Sequence, residues 1–136
     1  IGSFREWFYL GKHYDCLVMR TLIIGASTNE DRYSYKAIQE LRKLNFDVCA
    51  LGLNEGEIMD VKIRTQPLNF KNIHTVSIYL RSQNQFQYLN YLLKLKPKRV
   101  IFNPGSENEV LMNKLKEKKI SCENSCTLVL LSTNQY

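Results

Sequence analysis

The chain has 136 residues, about one domain's worth, since single domains cluster near ~100 to 150 residues, and two full domains are excluded. Its 44% apolar and 24% charged residues exclude a disordered or fibrous chain, and no apolar run nears the ~18 to 20 residues that cross a bilayer, so a soluble protein is expected. The 19 basic and 13 acidic side chains leave a net charge of +6, which attracts nucleic acid, acidic lipid and phosphorylated metabolites alike.

Residues 1–18 (IGSFREWFYLGKHYDCLV) hold the only Trp and keep neither a strand nor a helix period for long. They also lack the continuous apolar stretch of a signal peptide. An added leader before a native start at Met19, or an extension packing Phe4, Trp7 and Phe8 on the body, are equally good readings. From residue 21 the periods alternate. Residues 21–25 (TLIIG) form a short apolar run ending in Gly, as a strand buried on both faces does. Residues 33–44 place Ala37, Ile38, Leu41 and Leu44 on one helical face. Strands are expected at 47–52 and 75–80, then a helix at 83–96 through Phe86, Leu89 and Leu93 that stops at Pro97. A strand at 99–102 and a helix at 106–118 follow, with Ser106 and Glu109 at the S-x-x-E spacing of a capping box. A last strand at 120–122 and a short helix at 127–132 complete the pattern.

Strands separated by helices need crossover connections, so the sheet is expected to be mainly parallel with helices on both faces, an α/β Rossmann-like three-layer sandwich over residues 19–136. Such sheets bind ligands beyond the carboxyl ends of their strands. The loops there are residues 25–33, 52–56, 81–84 and 103–107, rich in small and polar side chains. Small side chains let backbone amides approach a phosphate, and a following helix N-terminus adds partial positive charge. The first loop has a single glycine where the dinucleotide fingerprint G-x-G-x-x-G needs three, and no G-K-[ST] phosphate loop follows the first strand.

Of the other signals, the basic clusters Lys94, Lys96, Lys98, Arg99 and Lys114, Lys116, Lys118, Lys119 have no interleaved aromatics, so they read as solvated surface rather than a nucleic-acid footprint. The four cysteines read as reduced thiols of a cytoplasmic protein, since a core of this size needs no staples. No metal site is expected, because Cys122 and Cys126 lack the partners that zinc requires. No catalytic residue is assigned. His13 and His74 are the only histidines, and Cys126, before the last helix, is the one candidate nucleophile.

The series Ile24-Gly25-Ala26-Ser27, Arg32-Tyr33-Ser34-Tyr35, the run from Val76 to Arg81, Phe102-Asn103-Pro104-Gly105 and Cys126-Thr127-Leu128 resembles the small stand-alone CoA-binding domain proteins of bacteria, themselves similar to the CoA-binding domain of the succinate–CoA ligase α subunit. The resemblance spans residues 20–136. It implies a coenzyme A or acyl-CoA site. Gly25, Ala26 and Ser27 would lie against the pyrophosphate or pantetheine, with Arg32, Tyr33, Ser34 and Lys36 as donors near the first helix. Gly52, Leu53 and Asn54 would border the adenine, Arg81 after Tyr79 would reach a phosphate, and Asn103, Pro104 and Gly105 would make the turn facing the ligand. The ligase's second domain with its phosphorylated histidine has no counterpart here, so a binding or regulatory module, with a possible protein partner and no membrane, is expected rather than an enzyme. An NAD(P)-linked oxidoreductase with an atypical glycine loop and a nucleic-acid-binding protein are the alternatives.

Overall fold

The computed structural model describes residues 19–136, so both readings of residues 1–18 lie outside the described residues. The first strand, β1 (Arg20–Ala26), runs through the middle of the fold with Leu22, Ile23 and Ile24 at most 1% exposed, which is why its sequence is apolar without alternation. Helix α1 (Tyr33–Lys43) buries Ser34, Ala37, Ile38 and Leu41 and ends on Arg42 and Lys43, where cations suit the helix dipole. Then follow β2 (Asp47–Gly52), β3 (Gly56–Ile58), β4 (Val61–Arg64) and β5 (Ile73–Ile78). After two 3-10 turns come α2 (Leu89–Leu95), β6 (Arg99–Phe102), α3 (Glu109–Glu117), β7 (Ser121–Asn124) and α4 (Thr127–Ser132).

These strands form one seven-stranded sheet in the order β3-β4-β2-β1-β5-β6-β7. Every pairing is parallel except β3 with β4. The chain is thus an α/β Rossmann-like sandwich. Leu22, Ile24, Val76, Ile78, Val100 and Phe102 face one helical layer and meet Leu92, Leu111 and Leu115. Ile23, Ala50 and Ile63 face the other and meet Ile38, Leu41 and Leu131. Each of the Val, Leu, Ile and Phe side chains among them contributes about 1.5 to 3 kcal/mol of burial. Because β2 and β5 lie on opposite sides of β1, the chain reverses its direction of travel across the sheet between β1 and β5.

The last residue is held at the start of the strands. The Tyr136 ring stands edge-on to Phe46 with centroids 5.4 Å apart, Arg99 lies 4.7 Å from its centre, and its hydroxyl hydrogen-bonds Thr21 Oγ1.

Three local expectations are corrected. The hairpin β3–β4 stands where no strand was expected; its strands are only three and four residues long. The helix expected from residue 83 begins at Leu89, because Gln85 turns inward at 1% exposure while Phe86 turns out at 49%, the reverse of an amphipathic stripe. Ser106 does not cap α3. Asn108 does, its Oδ1 accepting the Leu111 amide at 3.0 Å, while Glu107 folds back so that its Oε1 accepts the Gly105 amide at 2.9 Å.

Candidate ligand-binding site

The carboxyl ends of the central strands open into a cleft of about 630 Å³ that straddles the point where the direction of travel reverses. Its walls are the loops after β1, β2, β5 and β6.

From the first loop come Gly25, Ala26, Ser27, Arg32, Tyr33 and Ser34. Gly25 has φ +97°, and a Cβ there would stand 3.0 Å from the Tyr79 carbonyl carbon, so the close approach of β1 to the β5 loop requires glycine. The loop then fixes itself: Ser27 Oγ accepts the Asn29 amide at 3.1 Å and Asn29 Oδ1 accepts the Asp31 amide at 3.0 Å. Arg32 precedes α1 in extended conformation without capping the helix, and the first turn has no acidic residue. The first-turn amides therefore keep their partial positive charge toward the cleft.

The second wall is Gly52, Leu53 and Asn54. β1 steps out of register between Ile24 and Ala26, which sets Ala26 opposite Gly52 and brings the Ala26 carbonyl oxygen to 2.2 Å from where a Gly52 Cβ would be. Gly52 is thus fixed by backbone contact beneath the cleft. Leu53 is 90% exposed on the rim.

Tyr79, Arg81, Pro104 and Gly105 line the opposite side. Burial pushes the Tyr79 hydroxyl up to about 12, offset in part by the Ser77 and Thr127 hydroxyls, although neither is placed to make a well-directed hydrogen bond with it. Gly105 has φ +90° with open space around it. Arg32 and Arg81 are exposed, and neither side chain has an ion-pair or hydrogen-bond partner among the described residues. They are cations available to a ligand.

Two residues named from the sequence stand off the cleft wall. Lys36 is exposed one turn into α1, its Nζ 5.4 Å from the centre of the Tyr33 ring. Asn103 is 1% exposed, and its Nδ2 donates to Ser77 Oγ at 2.8 Å and to the Ile78 carbonyl at 3.0 Å while its Oδ1 accepts the Thr127 amide at 2.8 Å. Asn103 therefore bolts β5, β6 and α4 together under the loop. Conversely, Thr28, Leu80, Asn84, Gln87, Tyr88 and Ser106 also line the cleft. Gln87 and Tyr88 were hidden in what read as a regular helix; Thr28 and Ser106 stand among the small polar residues of loops already singled out.

No described cysteine borders the cleft. Cys126 precedes α4 and is part-exposed. Burial raises the Cys49 thiol, and it pushes Cys122 up to about 11. A second hollow, of about 470 Å³, lies at the strand starts, but its cations are engaged: Arg42 pairs with Asp60 at 2.7 Å and Arg20 Nη1 donates to the Lys71 carbonyl at 3.0 Å. The cations of the cleft at the carboxyl ends, Arg32 and Arg81, have no such partner among the described residues.

The profile of the CoA-binding domain family matches residues 19–132, and the chain belongs to that family. Among solved structures, an uncharacterized protein 40% identical in sequence superposes with a TM-score of 0.84 over 86% of this chain and 97% of its own. A hypothetical protein from Pyrococcus horikoshii OT3, 20% identical, gives 0.76 over 96% of this chain and 88% of its own. The dinucleotide forming acetyl-coenzyme A synthetase 1 of Ca. Korarchaeum cryptofilum, 14% identical, gives 0.66 over 78% of this chain and 25% of that one, a likeness of fold. No curated protein matches the chain.

Proposed function

We propose that the cleft binds coenzyme A or an acyl-CoA and that the protein works as a ligand-binding or regulatory module. The observation that supports this most is the pair of unpartnered guanidinium groups, Arg32 and Arg81, on a cleft that also receives the open N-terminus of α1. Phosphates suit both features, since a guanidinium contacts two oxygens at once and helix-end amides add donors. In this fold the first strand–helix turn takes the phosphates and the end of the second strand takes the adenosine. The pyrophosphate then rests on Gly25, Ala26 and Ser27 with Tyr33 and Ser34 close by, and the adenosine lies along Gly52, Leu53 and Asn54. The pantetheine crosses Tyr79, Pro104 and Gly105, and Arg81 reaches a phosphate. Lys36 adds long-range charge, and Asn103 holds the floor. The β2 end supplies no acidic side chain for a ribose hydroxyl, which disfavours NAD. A cytoplasmic location goes with this reading, as Cys49, Cys122 and Cys126 are free thiols.

The test is a thermal-shift series with CoA, acetyl-CoA, NAD, NADP and a DNA oligonucleotide. CoA at a hundred times its Kd raises stability by about 2.7 kcal/mol, a shift on the order of 10 °C for a domain of this size. Arg32→Ala and Arg81→Ala each weaken CoA about tenfold while the unliganded Tm stays put. A shift with NAD(P) or with the oligonucleotide alone overturns the proposal in favour of the oxidoreductase or the nucleic-acid binder.

A further inference from the structure

Beyond this assignment, and resting on it, we propose that Gln85 is a positioning residue that fixes the gap between the loops after β5 and β6 and thereby sets the affinity for the pantetheine half of CoA. The β5–β6 ladder ends at the pair Ile78 and Phe102, so the loops beyond it have no further strand pairing to hold them. Gln85 bridges them. Its Nε2 donates to the Leu80 carbonyl at 2.8 Å and to the Ser106 carbonyl at 2.7 Å, and both of those residues line the cleft. Asn108 adds a weaker tie, its Nδ2 donating to the Ser82 carbonyl at 3.3 Å.

The surroundings of Gln85 argue for this role over simple space filling. The amide is 1% exposed, while its neighbour Phe86 is 49% exposed; a segment arranged for burial alone would exchange the two. Its Oε1 is buried with no hydrogen-bond partner among the described residues, an uncompensated loss of hydration that an apolar side chain would avoid. What the amide alone supplies is a double donor between two carbonyls on facing loops. Tying Leu80 to Ser106 holds Tyr79 and Gly105, next to them in the chain, at a set separation across the pantetheine path.

Titration calorimetry of the full chain with CoA and with adenosine 3′,5′-bisphosphate tests this, because the bisphosphate lacks pantetheine. In Gln85→Met the Kd for CoA rises about tenfold, the loss of the bridging bonds, while the bisphosphate Kd stays within about twofold. Unchanged CoA affinity, or equal weakening of both ligands, overturns the role. If the parent binds neither ligand, it is the CoA assignment that fails. Gln85→Glu gives a second readout that does not depend on the first variant. Burial keeps its carboxyl protonated, and able to donate to one carbonyl, at pH 6, whereas at pH 8.5 the carboxylate faces two carbonyl oxygens. CoA affinity of this variant then falls more steeply over that range than the parent's, and parallel pH profiles overturn the proposal.

Discussion

At Gly25 two demands meet: the backbone turns through φ +97°, and a Cβ would press on the Tyr79 backbone at 3.0 Å. Gly25→Val therefore strains the junction of β1 with the β5 loop and lowers stability by roughly 2 kcal/mol or more, read as a lower urea midpoint at unchanged m. An unchanged midpoint would show that the loop relaxes around the side chain. Since this variant damages the scaffold, its loss of CoA binding would say little about ligand contact, which Arg32→Ala and Arg81→Ala report cleanly. At this scale the sequence was partly legible. Small and polar residues in strand–helix loops pointed to Ser27, Asn54 and Gly105, because loop position and side-chain size are local properties. The inward turn of Gln85 was not legible, since nothing local places an amide inside and Phe86 outside. Nor was the burial of Asn103, whose partners Ser77 and Thr127 lie 26 and 24 residues away in the chain.

Helix α3 shows how a spacing motif misleads. Ser106 and Glu109 satisfy the capping-box pattern, yet the turn at Gly105, closed by Glu107, delays the helix until Asn108, whose extended backbone at φ −153° and side-chain acceptor begin it. Asn108→Ala removes that acceptor and costs about 1 kcal/mol, measurable by chemical denaturation, whereas Ser106→Ala leaves the cap intact. Equal losses in the two variants would return the cap to Ser106. The strands and helices that cross the sheet came through in the sequence because each buries a long, regular set of apolar positions. The β3–β4 hairpin did not, although Val61 and Ile63 alternate with exposed Lys62 and Arg64. It turns at Met59 with φ +54°, where glycine or asparagine would have announced the reversal.

For the molecule as a whole, burial sets the response to alkali. Cys122 is pushed up to about 11, and Tyr79 and Tyr91 to about 12. The folded state keeps these protons after the unfolded chain releases them, so their contribution is fully present below about pH 9 and is lost as pH rises through 11 to 12. At the acid end, burial and then the neighbouring Arg99 and Lys98 lower His74 below its usual 6.5, so the stability tied to its neutral form is present above that value and is lost as pH falls beneath it. Urea midpoints are accordingly flat between about pH 7 and 9 and decline on either side; a midpoint that kept rising above pH 10 would contradict the burial of these groups. The Tyr136 contacts have a different consequence at this scale. Tyr136 rests against Thr21, Phe46 and Arg99 at the strand starts, beside Arg20 where β1 begins, so the described chain enters and leaves at the end opposite the cleft. A fold whose two ends lie together, away from its loop-built cleft, is portable: it can be spliced into a longer chain without rebuilding those loops, and a domain of similar fold does form part of the synthetase chain.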